Sequence, residues 1–278
     1  MKRKAIVPNI FTAFSLSCGL FVIFKMNMLQ PGTASYHTIL ASVCILMLAA
    51  VLDFMDGAIA RAMKVESEFG GVFDAMADSI SFGVAPSALV LKTLSLERGT
   101  MLSFVLTAGA MVYAICGVLR LVRFRVASHE NQGSKEKIAL SMANFTGLPI
   151  PAAAALVIST TLLFMSEEFQ SFYPMTDMER AIIATVVFFV VGFFMISRWK
   201  FPSIKALHIR VGSFQVIALT VIIAAVILIG ALQYFALVFA GLSWAYFLLA
   251  IVLSIVRIIS GKKLHVLEDF EPDSEDEV

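Results

Sequence analysis

The chain has 278 residues, 59% of them hydrophobic and 15% charged, with a mean hydropathy of +0.90. A soluble domain is closer to half apolar, so this composition excludes a protein built around one water-surrounded core. The net charge is +1 and no patch interleaves basic with aromatic residues, which argues against a nucleic-acid partner.

Taken in chain order, the apolar runs predict eight membrane spans, at 8–27, 38–61, 70–92, 101–124, 147–165, 180–197, 212–232 and 235–256. Each is near the ~20 residues that cross a hydrocarbon layer. The first run follows Lys2, Arg3 and Lys4 and is read as a span, not a signal peptide. It is long, Pro8-Asn9 sits at its mouth, and no small-residue cleavage site follows. Positive charge recurs after span two (Arg61, Lys64) and span four (Arg120, Arg123, Arg125, Lys135, Lys137). It recurs again after span six (Arg198, Lys200, Lys205, Arg210) and span eight (Arg257, Lys262, Lys263). The loop after span five is acidic, with Glu167, Glu168, Asp177 and Glu179. By the positive-inside rule both termini and the even-numbered loops are cytoplasmic. The expected fold is all-α, a polytopic transmembrane helical bundle over residues 1–262. Residues 263–278 are an acidic cytoplasmic tail with little to bury, expected to be disordered. Cys18, Cys44 and Cys116 lie in apolar runs without a paired spacing and read as packing residues. His37, His129, His208 and His265 are scattered and suggest no ligand set.

Spans two and three carry the chemistry. Asp53, Asp56, Gly57 and Ala60 stand at i, i+3, i+4 and i+7, on one helical face. Gly70, Asp74 and Asp78 stand at i, i+4 and i+8, again on one face. A short turn joins the two runs, predicting an antiparallel hairpin. Asp53 lies eight residues before Arg61 and Asp78 eight after Gly70, about 12 Å of helix in each case. Both aspartate pairs therefore fall at similar depth, near the cytoplasmic side. A charge at bilayer depth costs roughly 2.5–3.5 kcal/mol even on a lenient scale. Four carboxylates need a neutralising partner, and only Arg61 is expected near enough to pair with them. A hard divalent cation suits carboxylate oxygens, and two such ions can clamp a pyrophosphate. Gly57, Ala60, Gly70 and Gly71 leave room for a ligand or a neighbouring backbone.

The run Asp53-x2-Asp56-Gly57-x2-Ala60-Arg61-x8-Gly70-x3-Asp74-x3-Asp78 resembles the CDP-alcohol phosphotransferase signature in every fixed position. The resemblance implies an integral membrane enzyme that moves a phosphatidyl-type group from a CDP-activated lipid to an alcohol, releasing CMP. Further stretches are similar to the membrane-embedded phosphatidylserine synthases: Ser79–Pro86, Arg120–Phe124, Asn144–Ala154 and Ser197–Lys205. They cover roughly the first 210 residues; position 125 departs, carrying Arg where that pattern has Asn. The substrates implied are CDP-diacylglycerol and L-serine. By resemblance, Asp53, Asp56 and Asp74 are metal ligands for Mg²⁺ or Mn²⁺. Asp78 matches the fourth position, completing a second metal site and serving as general base. Asp53, Gly57, Ala60, Arg61 and Gly70 match positions lining the CDP-lipid site. Candidates for serine or phosphate binding are Ser81, Arg120, Arg123 and Asn144, with the residues around Pro149. For the two arginines, plain anchoring at a basic loop is the competing reading. The resemblance further implies a homodimer, in a prokaryotic plasma membrane.

Two rivals within reach are a related transferase using glycerol 3-phosphate or inositol (phosphate), and a cation transporter with carboxylates along its path. The first calls for extra basic groups; the second leaves the Gly-x2-Ala-Arg spacing unexplained. A scaffold with a vestigial site ranks behind both, since all four aspartates are present.

Overall fold

The structure, a computed structural model, describes residues 6–63, 67–94, 96, 99–130, 147–197 and 233–260. Among them the elements are helical: α1 (Ile6–Asn27), α2 (Tyr36–Met63), α3 (Glu68–Asp78), a π-helical segment (Ser79–Val84), α4 (Ala85–Thr93) and α5 (Met101–Glu130). There follow α6 (Ile150–Met165), the short α7 (Glu167–Phe172), α8 (Asp177–Ile196) and α9 (Phe235–Ser260). Within the described residues five helices are long and apolar enough to cross a membrane: α1, α2, α8, and the 101–126 and 235–252 portions of α5 and α9. The chain is an integral membrane protein. The expected spans fall on helix, except 212–232, which lies outside the described residues together with the basic loop after span six and the acidic tail.

The helices are apolar on most sides, and what they bury is a narrow stripe. In α1 that stripe is Pro8, Thr12, Ser15, Gly19, Val22 and Met26, recurring every three or four residues. Phe14, Phe21 and Phe24, on the remaining faces, stay exposed, as lipid-facing side chains do. The most extensive packing is of α1 along α2 and of α5 along α8. α1 also packs on α3, whereas α2 and α3 touch each other only marginally. The expected hairpin is therefore held together through α1.

The third span is not one regular helix, and Pro86 supplies the reason. A proline has no N–H for the carbonyl four residues back, and its ring crowds that carbonyl. Here the carbonyl is that of Phe82. The chain widens to a π turn instead, with the Ala85 N–H bonding the Ile80 carbonyl five residues back. The freed Phe82 carbonyl accepts a 2.7 Å hydrogen bond from the buried Tyr113 hydroxyl of α5. Ser87 Oγ donates to the Gly83 carbonyl at 3.0 Å. The helix thus continues past its proline with these backbone groups satisfied.

The turn before α6 docks on the end of α8. Gly147 has φ +86°, and a Cβ there would overlap the Met195 carbonyl oxygen. The Leu148 N–H bonds the Phe194 carbonyl at 3.0 Å, and the Leu148 side chain is buried.

Candidate functional site

Three helices build the site. α2 supplies Asp53 and Asp56, α3 supplies Asp74 and Asp78, and α1 lies against both helices. α3 starts cleanly: Ser67 caps it, its Oγ accepting from the Gly70 N–H at 3.0 Å. From that start Asp74 and Asp78 fall one turn apart on the inner face. Oxygens of Asp53, Asp56 and Asp74 all lie within 4.8 Å of one another. Asp53 also lies within electrostatic range of both Asp74 and Asp78.

Asp56 is 5% exposed and Asp78 9%. The Thr12 hydroxyl of α1 lies 2.6 Å from Asp56 Oδ2, closer than the 3.2 Å to the Pro8 carbonyl, and donates to the carboxylate. Oδ1 of Asp74 and Oδ1 of Asp78 are buried without a hydrogen-bond partner. A buried, unpartnered carboxylate oxygen is costly. Oxygen donors only, close together, with two orphaned atoms among them, fit a hard divalent cation. Asp53, Asp56 and Asp74 would hold it, with Asp78 beside them.

Thr12 was not among the sequence candidates. Asn9, one turn earlier on α1, was noted only as lying at the mouth of span one. Its Oδ1 lies 3.0 Å from where a Cβ on Gly70 would stand, and its buried Nδ2 has no partner. The signal was present: Asn9, Thr12 and Ser15 are polar at i, i+3 and i+6 in an apolar helix. Ser15 closes that stripe, its Oγ donating to the Ala49 carbonyl at 3.0 Å.

The small residues receive the protein's own side chains. The Arg61 guanidinium lies over Gly57, one turn back, 3.4 Å from where a Cβ would stand. The Arg125 guanidinium covers Gly71, and a Cβ there would overlap Nη1. Arg125 Nη2 is 3.7 Å from Asp74 Oδ2. This corrects the expectation that Arg61 alone stands near the aspartates: the end of α5 brings a second cation. Ala60 is half-buried on the same face of α2.

Among the remaining candidates the placements diverge. Arg120 is turned inward, its Nε buried without a partner and its charge in range of Asp78 and Tyr246. Arg123 Nη1 donates to the Ile196 carbonyl at 3.3 Å, tying α5 to the C-terminal end of α8. Ser81 is 0% exposed, and its Oγ donates to the Ser15 carbonyl at 3.1 Å. It packs so closely on α1 that a Cβ on Gly19 would overlap it. Asn144 lies outside the described residues.

Residues 5–192, a stretch holding all four aspartates, match the CDP-alcohol phosphatidyltransferase family. The chain belongs to that family. It is accordingly a transferase. A CDP-diacylglycerol--serine O-phosphatidyltransferase of Helicobacter pylori (strain ATCC 700392 / 26695) is 29% identical over 256 residues, covering 92% of this chain and 94% of that protein. A protein of the same name from Bacillus subtilis (strain 168) is 27% identical over 199 residues, 72% of this chain and 91% of its own length. Another from Methanocaldococcus jannaschii is 27% identical over 190 residues, 68% of this chain and 78% of its own.

Proposed function

We propose that this family member is a metal-dependent CDP-diacylglycerol–serine O-phosphatidyltransferase. The observation that carries the reading is the shared name of relatives that align over most of the chain, joined to the four-aspartate cluster. The bound cation would be Mg²⁺ or Mn²⁺; it supplies charge neutralisation at the phosphate oxygens and at the departing CMP. Asp53, Asp56 and Asp74 would hold it. Arg61 pairs with phosphate oxygens of the CDP-lipid over the ledge of Gly57, Ala60 and Gly70. Asp78 accepts the proton of the serine hydroxyl as its oxygen bonds to the phosphatidyl phosphorus. The bond from that phosphorus to CMP breaks, CMP leaves with its electron pair, and no protein nucleophile takes part. The inward Arg120, in range of Asp78, receives the serine carboxylate or the lipid-side phosphate. Arg123, engaged with the end of α8, steadies α5 beside it. The cluster faces the cytoplasm, both termini are cytoplasmic, and the enzyme works as a homodimer in a prokaryotic plasma membrane.

The acceptor is tested by CMP release from CDP-diacylglycerol by purified protein, with L-serine, glycerol 3-phosphate and inositol compared. Serine alone is expected to support release. Release with another acceptor instead would keep the family and overturn the acceptor.

A further inference from the structure

Arg125 belongs to neither the metal donors nor the phosphate ledge, yet it pairs with one of those donors, Asp74. Arg125 comes from the end of α5, far in sequence from the aspartates. Its guanidinium occupies the space that Gly71 leaves by lacking a side chain, which brings Nη2 to 3.7 Å from Asp74 Oδ2. The contact is longer than a hydrogen bond, and both side chains are about one-third exposed, at 30% and 37%. Asp74 therefore divides its carboxylate: Oδ2 faces a fixed positive charge, while Oδ1 is buried and unpartnered. A divalent cation entering among Asp53, Asp56 and Asp74 must share Asp74 with that guanidinium.

We propose that Arg125 is a built-in counter-charge. It holds Asp74 in the metal-free protein, competes with the divalent cation, and so sets how much cation the site needs. It is a positioning residue acting through Asp74, and it stays off the reacting atoms. The loose geometry suits this role: an ion pair about one-third exposed is worth little, so it can be released when the cation arrives. The inference rests on the metal site and is independent of which alcohol is the acceptor.

The test is Mn²⁺ binding to the purified full chain, followed by the loss of free-ion electron paramagnetic resonance signal, with no substrate present. Removing a unit charge a few ångströms from the ion is expected to tighten Mn²⁺ binding about tenfold in Arg125→Gln. Arg125→Lys is expected to stay near the unaltered protein. Gly71→Ala pushes the guanidinium off Asp74 without removing the charge, and is expected to tighten binding in the same direction. Melting separates competition from plain packing. Arg125→Gln is expected to melt lower than the unaltered chain in chelator, with the deficit closing in saturating Mn²⁺. Unchanged or weaker Mn²⁺ affinity in Arg125→Gln would overturn the proposal, as would an equal melting deficit with and without the ion. If the unaltered chain binds no Mn²⁺, the metal reading itself fails, and the proposal falls with it.

Discussion

At Asp56 a carboxylate has exchanged water for one hydroxyl. It is 5% exposed, and Thr12 Oγ1 donates to it at 2.6 Å. Groups that orient metal-binding carboxylates typically matter by 10–100-fold in affinity or activity. Thr12→Val keeps the shape and removes the donor; transfer or metal affinity is expected to fall by about 10–100-fold, with Thr12→Ser largely retaining both in a Mn²⁺ titration of activity. Asp78→Asn removes the proton acceptor and is expected to cost about 10²–10⁴-fold in turnover, with the melting temperature maintained. Full activity in Asp78→Asn would remove it from the mechanism. The four aspartates were legible in the sequence because their spacing puts them on two helical faces and their charge makes them costly in an apolar span. Thr12 was not: a threonine in an apolar helix ordinarily bonds its own i−4 carbonyl, and Thr12 also lies 3.2 Å from that of Pro8. Arg125 was hidden for another reason. Charge proximity along the chain points to Arg61, whereas Arg125 reaches Asp74 only through the packing of α5.

The span that carries Asp74 and Asp78 shows what pattern reading leaves out at the scale of an element. Its apolar length predicts one helix from 70 to 92, a reading that leaves out Pro86, a residue that ordinarily breaks a helix. The outcome is a third course, a π turn that lets the helix continue, made workable by a hydroxyl on another helix. Tyr113 is that partner, 2.7 Å from the Phe82 carbonyl and 31 positions away, and no local rule reveals it. Tyr113→Phe leaves a buried carbonyl without its donor and is expected to cost about 1–3 kcal/mol, read as a lower melting temperature in detergent. An unchanged melting temperature would mean that the π turn finds another donor. Gly147 was also noted only as part of a motif. Its positive φ and its seat against the Met195 carbonyl make that stretch a docking turn between α6 and α8.

For the whole molecule, the fold class and, within the described residues, the span positions followed from hydropathy, because lipid leaves the backbone few alternatives to a helix. How the spans pack did not follow, since apolar residues on all sides give little phase information; α1 as the element packed against both aspartate helices is visible only in three dimensions. Charge placement adds an orientation that can be checked directly. A fluorescent reporter fused after Val278 is expected to fold and shine, and an alkaline phosphatase fused there to stay inactive; the reverse pattern would turn the aspartate cluster to the outer face. The central claim is that this carboxylate cluster passes a phosphatidyl group to serine. Its most direct test is the incorporation of isotope-labelled L-serine into lipid by purified protein given CDP-diacylglycerol and Mn²⁺ or Mg²⁺. Labelled phosphatidylserine formed in step with CMP, and abolished by chelator, is the predicted result. CMP release without labelled lipid would contradict the acceptor, and neither product from folded protein would contradict the enzyme reading and favour a cation pathway through the same aspartates.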